Sequence, residues 1–397
     1  MKEILISSYD MEIGGVERSL ASMLANFDYS NHKVDLHLHS HTGPLMGLID
    51  SRVNLLPEIG VCKTFRKGIK GTLFSGHPVL AFKRLLSRFK AQKYAKATGI
   101  SASGYFQYQT IWNSCVNNVP RINNKYDVAI SYLWPHHFTA FNVKAETKIA
   151  WIHTDYSTIG IDVEADLKIW QQFDYIASIS DACTDAFLAT HPSLKNKIIL
   201  VENLTSPEYV RKMATEPIEQ PLSGGFNLVS VGRLCEPKAF DRAVDVLAEL
   251  HNRGYTNINW YIVGEGADRA LIEGKVKQHR LEDKFVLLGS TTNPYPYMSA
   301  ADIYVQPSRY EGKAVTVGEA LILAKPVIIT DYPTASSQLN DGINGVICGQ
   351  SVDEIADSIE GLYKNRKQAL QLIDYNKSVG HSNTSELDKL YRAFPTK

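Results

Sequence analysis

Short apolar runs rich in β-branched residues alternate along the chain with stretches whose apolar positions recur at helical spacing. A first series of runs covers Glu3 to Ser7, Lys33 to His39, Asp127 to Tyr132, Lys148 to His153, Tyr175 to Ser180 and Ile198 to Glu202. A second covers Phe226 to Val231, Asn259 to Val263, Phe285 to Leu288, Ile303 to Gln306, Pro326 to Thr330 and Gly345 to Cys348. Strands that are apolar on both faces and separated by helices form parallel sheets with helical crossovers, so the expected class is α/β with two doubly wound domains.

Between the two series, Ser206 to Gly225 holds Pro207, Pro217, Pro221 and Ser223-Gly224-Gly225, the composition of a linker or hinge. This sets an amino-terminal domain at 1–205 and a carboxyl-terminal domain at 206–379. After Cys348, the spacing of Val352, Ile355, Ile359, Leu362 and Tyr363 is helical. A polar break at Gly380 to Thr384 precedes a last helix near Ser385 to Phe394, and 380–397 is expected to cross back to the amino-terminal domain. The length of 397 residues suits two or three domains at roughly 150 residues each.

Composition excludes disordered and fibrous classes, with 44% hydrophobic and 21% charged residues. Lys plus Arg equals Asp plus Glu at 42 each, so the whole chain has no field that would steer it to nucleic acid. The charge is nevertheless uneven. From Ile59 to Tyr126 there are twelve Lys and Arg and no acid, and the rest of the chain carries the compensating negative excess. Inside that stretch, Val79, Phe82, Leu85, Leu86 and Phe89 can share one helical face flanked by Lys83, Arg84, Arg88, Lys93 and Lys96. Such a helix suits an anionic membrane surface or a phosphate-rich acceptor; a solvated helix packing its stripe on a core has the same pattern. Five cysteines without C-x-x-C, the lack of a signal peptide and the lack of a run of 18 apolar residues point to the cytoplasm, with any membrane contact peripheral and at the inner face.

Ligands of open α/β sheets bind beyond the carboxyl ends of the strands, which directs attention to the loops after the runs. Gly14-Gly15 follows the first run and opens a helical pattern; adjacent glycines allow close backbone approach to an anion, and equally make a tight turn. Gly232-Arg233 through Lys238 follows the seventh. Its two cations can balance a diphosphate or form surface salt bridges. Gly264-Glu265-Gly266 opens like a dinucleotide fingerprint, but Arg269 stands where the third glycine belongs, which disfavours NAD. The segment Ser308 to Ala320 carries Glu311 and Glu319 eight residues apart, with a helix start near Ala314. There the amides behind Gly312 can bind phosphate, Glu311 sugar hydroxyls and Glu319 a ribose diol, whereas a solvated helix would carry the same glutamates. His153 stands at a strand end. His37, His39 and His41 alternate on one strand face, where half-exposed polar positions are expected rather than metal ligands. There is no D-x-D, H-E-x-x-H or C-x-x-C, so no metal and no cofactor is expected.

Taken in order and spacing, Gly14-Gly15, His153, Gly232-Arg233 with Lys238, Gly264-Glu265-Gly266, and Glu311 with Glu319 resemble family 4 retaining glycosyltransferases of the GT-B fold. The resemblance is strong from Phe226 to about Gly349 and thin from Val53 to Asn124. It implies two Rossmann-like domains facing across a cleft that holds a nucleotide-activated sugar, UDP-linked in kind. It further implies that Arg233 and Lys238 grip the diphosphate with Gly15 and the amides of Val315 and Thr316. Glu311 would then hold the donor sugar, Glu319 the ribose, and His153 would lie beside the sugar. The family's Glu-Gly-Phe-Pro or Glu-Gly-Phe-Gly is replaced by Glu311-Gly312-Lys313-Ala314, with Lys313 meeting an acidic or acetamido donor or facing solvent. The implied activity is metal-independent transfer, with retention, to a cell-surface glycan such as a polysaccharide, a lipid-linked oligosaccharide or a teichoic-acid-like polymer. A sugar-nucleotide epimerase and a non-catalytic GT-B partner subunit share the same plan.

Overall fold

The computed structural model describes residues 1–99 and 104–395. Its packing divides into one unit made of Met1–Leu204 together with the chain from Ser385 onward, and a second made of Thr205–Thr384. The first holds β1 (Lys2–Ser8), β2 (His32–Leu38), β3 (Asn54–Leu55), β4 (Lys125–Ser131), β5 (Lys144–Ile152), β6 (Tyr175–Ser178) and β7 (Ile198–Leu200). They form one parallel sheet in the order β3-β2-β1-β4-β5-β6-β7. Six of these strands coincide with the apolar runs. β3 has no such run, because it is only two residues long and pairs through Asn54 with Asp35 and Leu55 with Leu36.

Ile4, Ile6, Val128, Ile130, Ile149 and Trp151 are fully buried in the core of this unit. The last helix, Glu386–Tyr391, adds Leu387 and Leu390 to the same core. Its Tyr391 ring stacks on His32 at 4.9 Å between centroids, and its hydroxyl accepts the Asp28 N–H at 2.8 Å.

The second unit holds β8 (Phe226–Val231), β9 (Ile258–Val263), β10 (Phe285–Gly289), β11 (Ile303–Gln306), β12 (Val327–Thr330) and β13 (Val346–Cys348). These are parallel in the order β10-β9-β8-β11-β12-β13. Helices Phe240–Asn252 and Val352–Lys364 cover this sheet with Val244, Leu247, Ile355 and Ile359, and Ser351 with Glu354 makes a capping box at the start of the latter. The proline-rich stretch expected as a linker differs from its composition. It contains the helix Pro207–Met213, started by Pro207 at the first turn and by the Ser206 hydroxyl, which accepts the Tyr209 N–H at 3.4 Å. Among the described residues no helix is long and apolar enough to cross a membrane.

Strand order reverses between β1 and β4 in one sheet and between β8 and β11 in the other, and crevices for ligands open at the carboxyl ends of such strand pairs. In the second unit two glycines let the neighbouring loops meet there. A Cβ on Gly264 would lie 1.8 Å from the Gly232 carbonyl oxygen, and one on Gly266 would lie 2.1 Å from that of Leu234. The close approach allows Leu234 N–H to reach Glu265 O at 3.0 Å and Asp268 N–H to reach Leu234 O at 3.1 Å.

Both features have measurable consequences. Gly264→Ala or Gly266→Ala, whose methyl meets backbone, will destabilise the second unit by about 3 kcal/mol in urea unfolding. Gly274→Ala, in the helix Arg269–His279 with open space around its Cβ, will stabilise it by about 0.5–1 kcal/mol. In the first unit, burial lowers the pKa of His37 and His137 to about 4, of His153 to about 3, and of His136 well below the ordinary 6.5. The unfolded chain therefore binds protons that the folded unit refuses. Their stability contribution is complete above pH 6.5 and is lost as pH falls from 6.5 towards 4, by roughly 1.4 kcal/mol per pH unit for each histidine. Trp112, Trp134, Trp151 and Trp170 belong to this unit, so tryptophan fluorescence in urea at pH 7 and pH 5 will read the loss.

Candidate functional site

β8 ends at Val231 and hands the chain to Gly232, exposed Arg233 and buried Leu234, then to the single turn Glu236–Lys238. A Cβ on Gly232 would lie 3.4 Å from two carbons of the Lys238 side chain, so the bare glycine is the bed on which the lysine stem runs. Lys238 Nζ then donates to Glu311 Oε1 at 2.5 Å.

Glu311 sits in the loop after β11, the strand adjacent to β8. Its Oε1 also accepts the Ser308 hydroxyl at 2.6 Å and the Gln306 amide at 3.0 Å, and its carbonyl accepts Thr334 Oγ1 at 3.0 Å. Gln306 and Ser308 are fully buried, and Gln306 is fixed in turn by the Tyr304 hydroxyl at 2.5 Å. Oε2 of Glu311 makes no hydrogen bond among the described residues. One oxygen of the carboxylate thus takes all three side-chain donors, and the other takes none of them. Breaking a buried pair by removing one partner typically costs about 3–5 kcal/mol, so the cation is integral to the placement of the acid.

A second ion pair locks the two loops together. Arg309 donates from both terminal nitrogens to Asp241, each at 2.8 Å, and also to Glu236 O at 2.7 Å, while its own amide reaches Pro237 O at 2.8 Å. Burial pushes the Asp241 carboxyl up, but the bidentate guanidinium outweighs it and holds the group below its usual range. Arg309 and Asp241 lie 68 residues apart, and neither stands in a pattern that marks the pairing. Gln306 carries a faint signal as the polar end of an otherwise apolar strand.

The helix Val315–Ile322 begins where the sequence places it, with Ala314 as its cap residue and no side chain bonded to the cap. The amides of Val315 and Thr316 belong to the first turn, which has no carbonyl partners within the helix. Gly312 and Lys313 are half-buried beside it. Glu319 is buried on the inner face and accepts the Tyr295 hydroxyl at 2.8 Å. Gly264 and Gly266 act through backbone packing, as described above, and Arg269 is held by Glu265 and Glu273.

Gly14, Gly15 and His153 belong to the other unit. Gly14 caps, and Gly15 begins, the helix Gly15–Ala25 that follows β1. His153 follows β5, its ring 4.7 Å from that of Tyr132, with both ring nitrogens shielded from solvent. Burial is the main cause of its low pKa, against hydrogen bonds to Tyr132 and Asn203, so it is a neutral imidazole at pH 7. The expectation of half-exposed histidines on β2 is corrected: His37 and His39 are buried. His37 stacks on Phe138 at 4.4 Å and His39 meets Tyr9 edge-on at 4.4 Å, because the strand lies inside the sheet with both faces covered. Among the described residues no group of three or more His, Cys, Asp or Glu is arranged to hold a metal.

The basic helix also needs correction. Arg84 is not on its outer face; it is buried and donates to the carbonyls of Thr64 and Phe65 and to Thr72 Oγ1. Lys83 is half-buried and donates to Ser114 O at 2.5 Å and Asn118 Oδ1 at 2.9 Å. Arg88 and Lys93 are exposed.

With this geometry in hand, comparison with known proteins is informative. An uncharacterized glycosyltransferase of Methanocaldococcus jannaschii is 28% identical over 151 residues, covering 37% of each chain. A poly(ribitol-phosphate) alpha-N-acetylglucosaminyltransferase of Staphylococcus aureus is 29% identical over 137 residues, covering 34% of this chain and 28% of that protein. These matches span 37% and 28% of the relatives' own length. A point mutant of S. aureus TarM, crystallised with fondaparinux, alpha-GlcNAc-glycerol and UDP, superimposes with a TM-score of 0.69 over 100% of both chains at 15% identity. Residues 216–379, which include the Lys238–Glu311 pair, match the family described as Glycosyl transferases group 1, and the two parallel-sheet α/β units have the GT-B fold.

Proposed function

We propose that this protein is a retaining glycosyltransferase that moves a sugar from a nucleotide-diphosphate sugar, UDP-linked, to a glycan of the cell envelope. The observation that carries the reading is the Glu311 carboxylate, fixed through Oε1 by Lys238, Ser308 and Gln306 while Oε2 stays open to accept hydroxyl hydrogens. It stands at the strand reversal of the unit that matches Glycosyl transferases group 1. The relatives lend weight to the acceptor class, since one of them acts on poly(ribitol-phosphate).

In this reading Lys238 and exposed Arg233 balance the diphosphate, first as it binds and then as it departs with the negative charge of the broken glycosidic bond. The amides of Val315 and Thr316 add neutral donors to the phosphates, and Glu319 takes the ribose. Glu311 orients the sugar. The departing phosphate oxygen accepts the acceptor's proton on the same face, which retains the anomeric configuration without a protein nucleophile. Charge balance by side chains leaves no role for a divalent ion.

A panel of UDP- and GDP-sugars, with the acceptor present and absent and the product anomer read by NMR, tests this. Transfer with retention from a UDP-sugar is the expected result; epimerised donor without acceptor, or an inverted product, overturns it. Glu311→Gln and Lys238→Ala, checked for folding by circular dichroism, should each lower kcat by roughly 10²–10³-fold, with Lys238→Ala also weakening UDP binding in calorimetry. EDTA should leave turnover intact, and strict dependence on Mn²⁺ or Mg²⁺ would refute the assignment of the charge balance to Arg233 and Lys238.

A further inference from the structure

The helix Pro78–Thr98 is attached to its unit by one face only. Leu80, Ala81, Arg84, Ser87 and Ala91 are buried, and the inward turn of Arg84 anchors that face to the backbone of Thr64 and Phe65. The opposite face carries Val79, Phe82, Leu86 and Phe89, which are 65%, 61%, 45% and 61% exposed. Their spacing of three, four and three residues makes one stripe about 15 Å long. Phe74, at the end of the preceding helix Ile69–Phe74, is 86% exposed. Exposed Arg88, Lys90, Lys93 and Lys96 continue the same helix, in a stretch that has no acid from Ile59 to Tyr126.

We infer that this face docks on an anionic lipid bilayer, with Phe74, Val79, Phe82, Leu86 and Phe89 entering the acyl boundary and Lys90, Lys93 and Lys96 meeting the lipid phosphates. Several large apolar side chains exposed in a row are unfavourable in water, and the core is already satisfied by the other face. A second copy of the chain is a poor cover, because a symmetric contact would set the basic side chains of this helix against those of its mate. A bilayer surface answers both demands, since it takes apolar side chains a few ångströms deep and offers fixed negative charge at the level where long basic side chains emerge. The inference rests on these side chains alone and is independent of the sugar chemistry proposed above.

The test uses the full chain and flotation with phosphatidylcholine vesicles, with and without phosphatidylglycerol. Binding is expected only with the anionic lipid and should weaken at high salt. Lys90→Glu with Lys93→Glu should lower the partition coefficient at least tenfold, at roughly tenfold or less per reversed charge. Phe82→Ser with Phe89→Ser should lower it comparably, and exposed Lys195→Glu should not change it. All of these positions are exposed, so thermal melting should be unaltered, which separates lost docking from lost folding. Absence of binding, equal binding to both vesicle types, or variants that bind like the wild type would overturn the proposal. Two further results would also do so: a wild-type dimer in sedimentation that Phe82→Ser with Phe89→Ser makes monomeric, which favours a second copy, and binding of soluble polyphosphate without binding of vesicles, which favours a soluble polyanion.

Discussion

A carboxylate taken out of water at the end of a buried strand persists only if other groups replace its hydration, and in this protein that demand organises the second unit. Glu311 meets it by drawing an ammonium, a hydroxyl and an amide onto one oxygen. Each donor imposes its own condition. Lys238 can lie along the loop only because Gly232 has no side chain, and the loop can lie there only because Gly264 and Gly266 let backbone meet backbone. Gln306 has to be a buried polar residue at the end of an apolar strand, and its place is stabilised by Tyr304. The Arg309–Asp241 pair holds the two loops in register, so a shift of either would break the carboxylate's contacts.

The first unit follows the same winding plan with different chemistry at its strand ends. Its buried polar groups include imidazoles, hydroxyls and indoles, and four of them converge on Asp166. Oδ2 of that residue accepts from Tyr156 at 3.0 Å, Trp170 at 2.8 Å and His191 at 3.0 Å, while Oδ1 accepts Trp134 at 3.2 Å. Satisfied networks of this kind fix side chains in place, and truncating any member strands a buried polar atom. The ion pairs Lys238–Glu311 and Arg309–Asp241 belong to the second unit, whereas the carboxylate of Asp166 in the first is held by hydroxyl, indole and imidazole groups.

The basic helix shows how a pattern can be read correctly and still point the wrong way for single residues. Apolar and basic side chains alternate around it, and only the docking of Leu80, Ala81 and Ala91 decides which arc faces inward. Arg84 falls on the inner arc. Its charge is spent on carbonyls that end the short turn Cys62–Arg66, and it adds nothing to the outer surface.

Sequence by itself determined the periodicities: twelve strand runs, the helices between them, the helix start near Ala314, the placing of Arg233, Lys238 and Glu311 in loops after strands, and that of Glu319 in the helix beyond. These are properties of neighbours along the chain, where alternation of apolar residues and the geometry of glycine act directly. Tertiary structure decided what depends on the other side of a sheet. It buried His37 and His39, turned a proline-rich stretch into the helix Pro207–Met213, and paired Asn54 with Asp35. It also joined Lys238 to Glu311 across 73 residues, a contact that no local pattern encodes because its energy arises only when parallel strands bring distant loops to one edge and exclude water from between them.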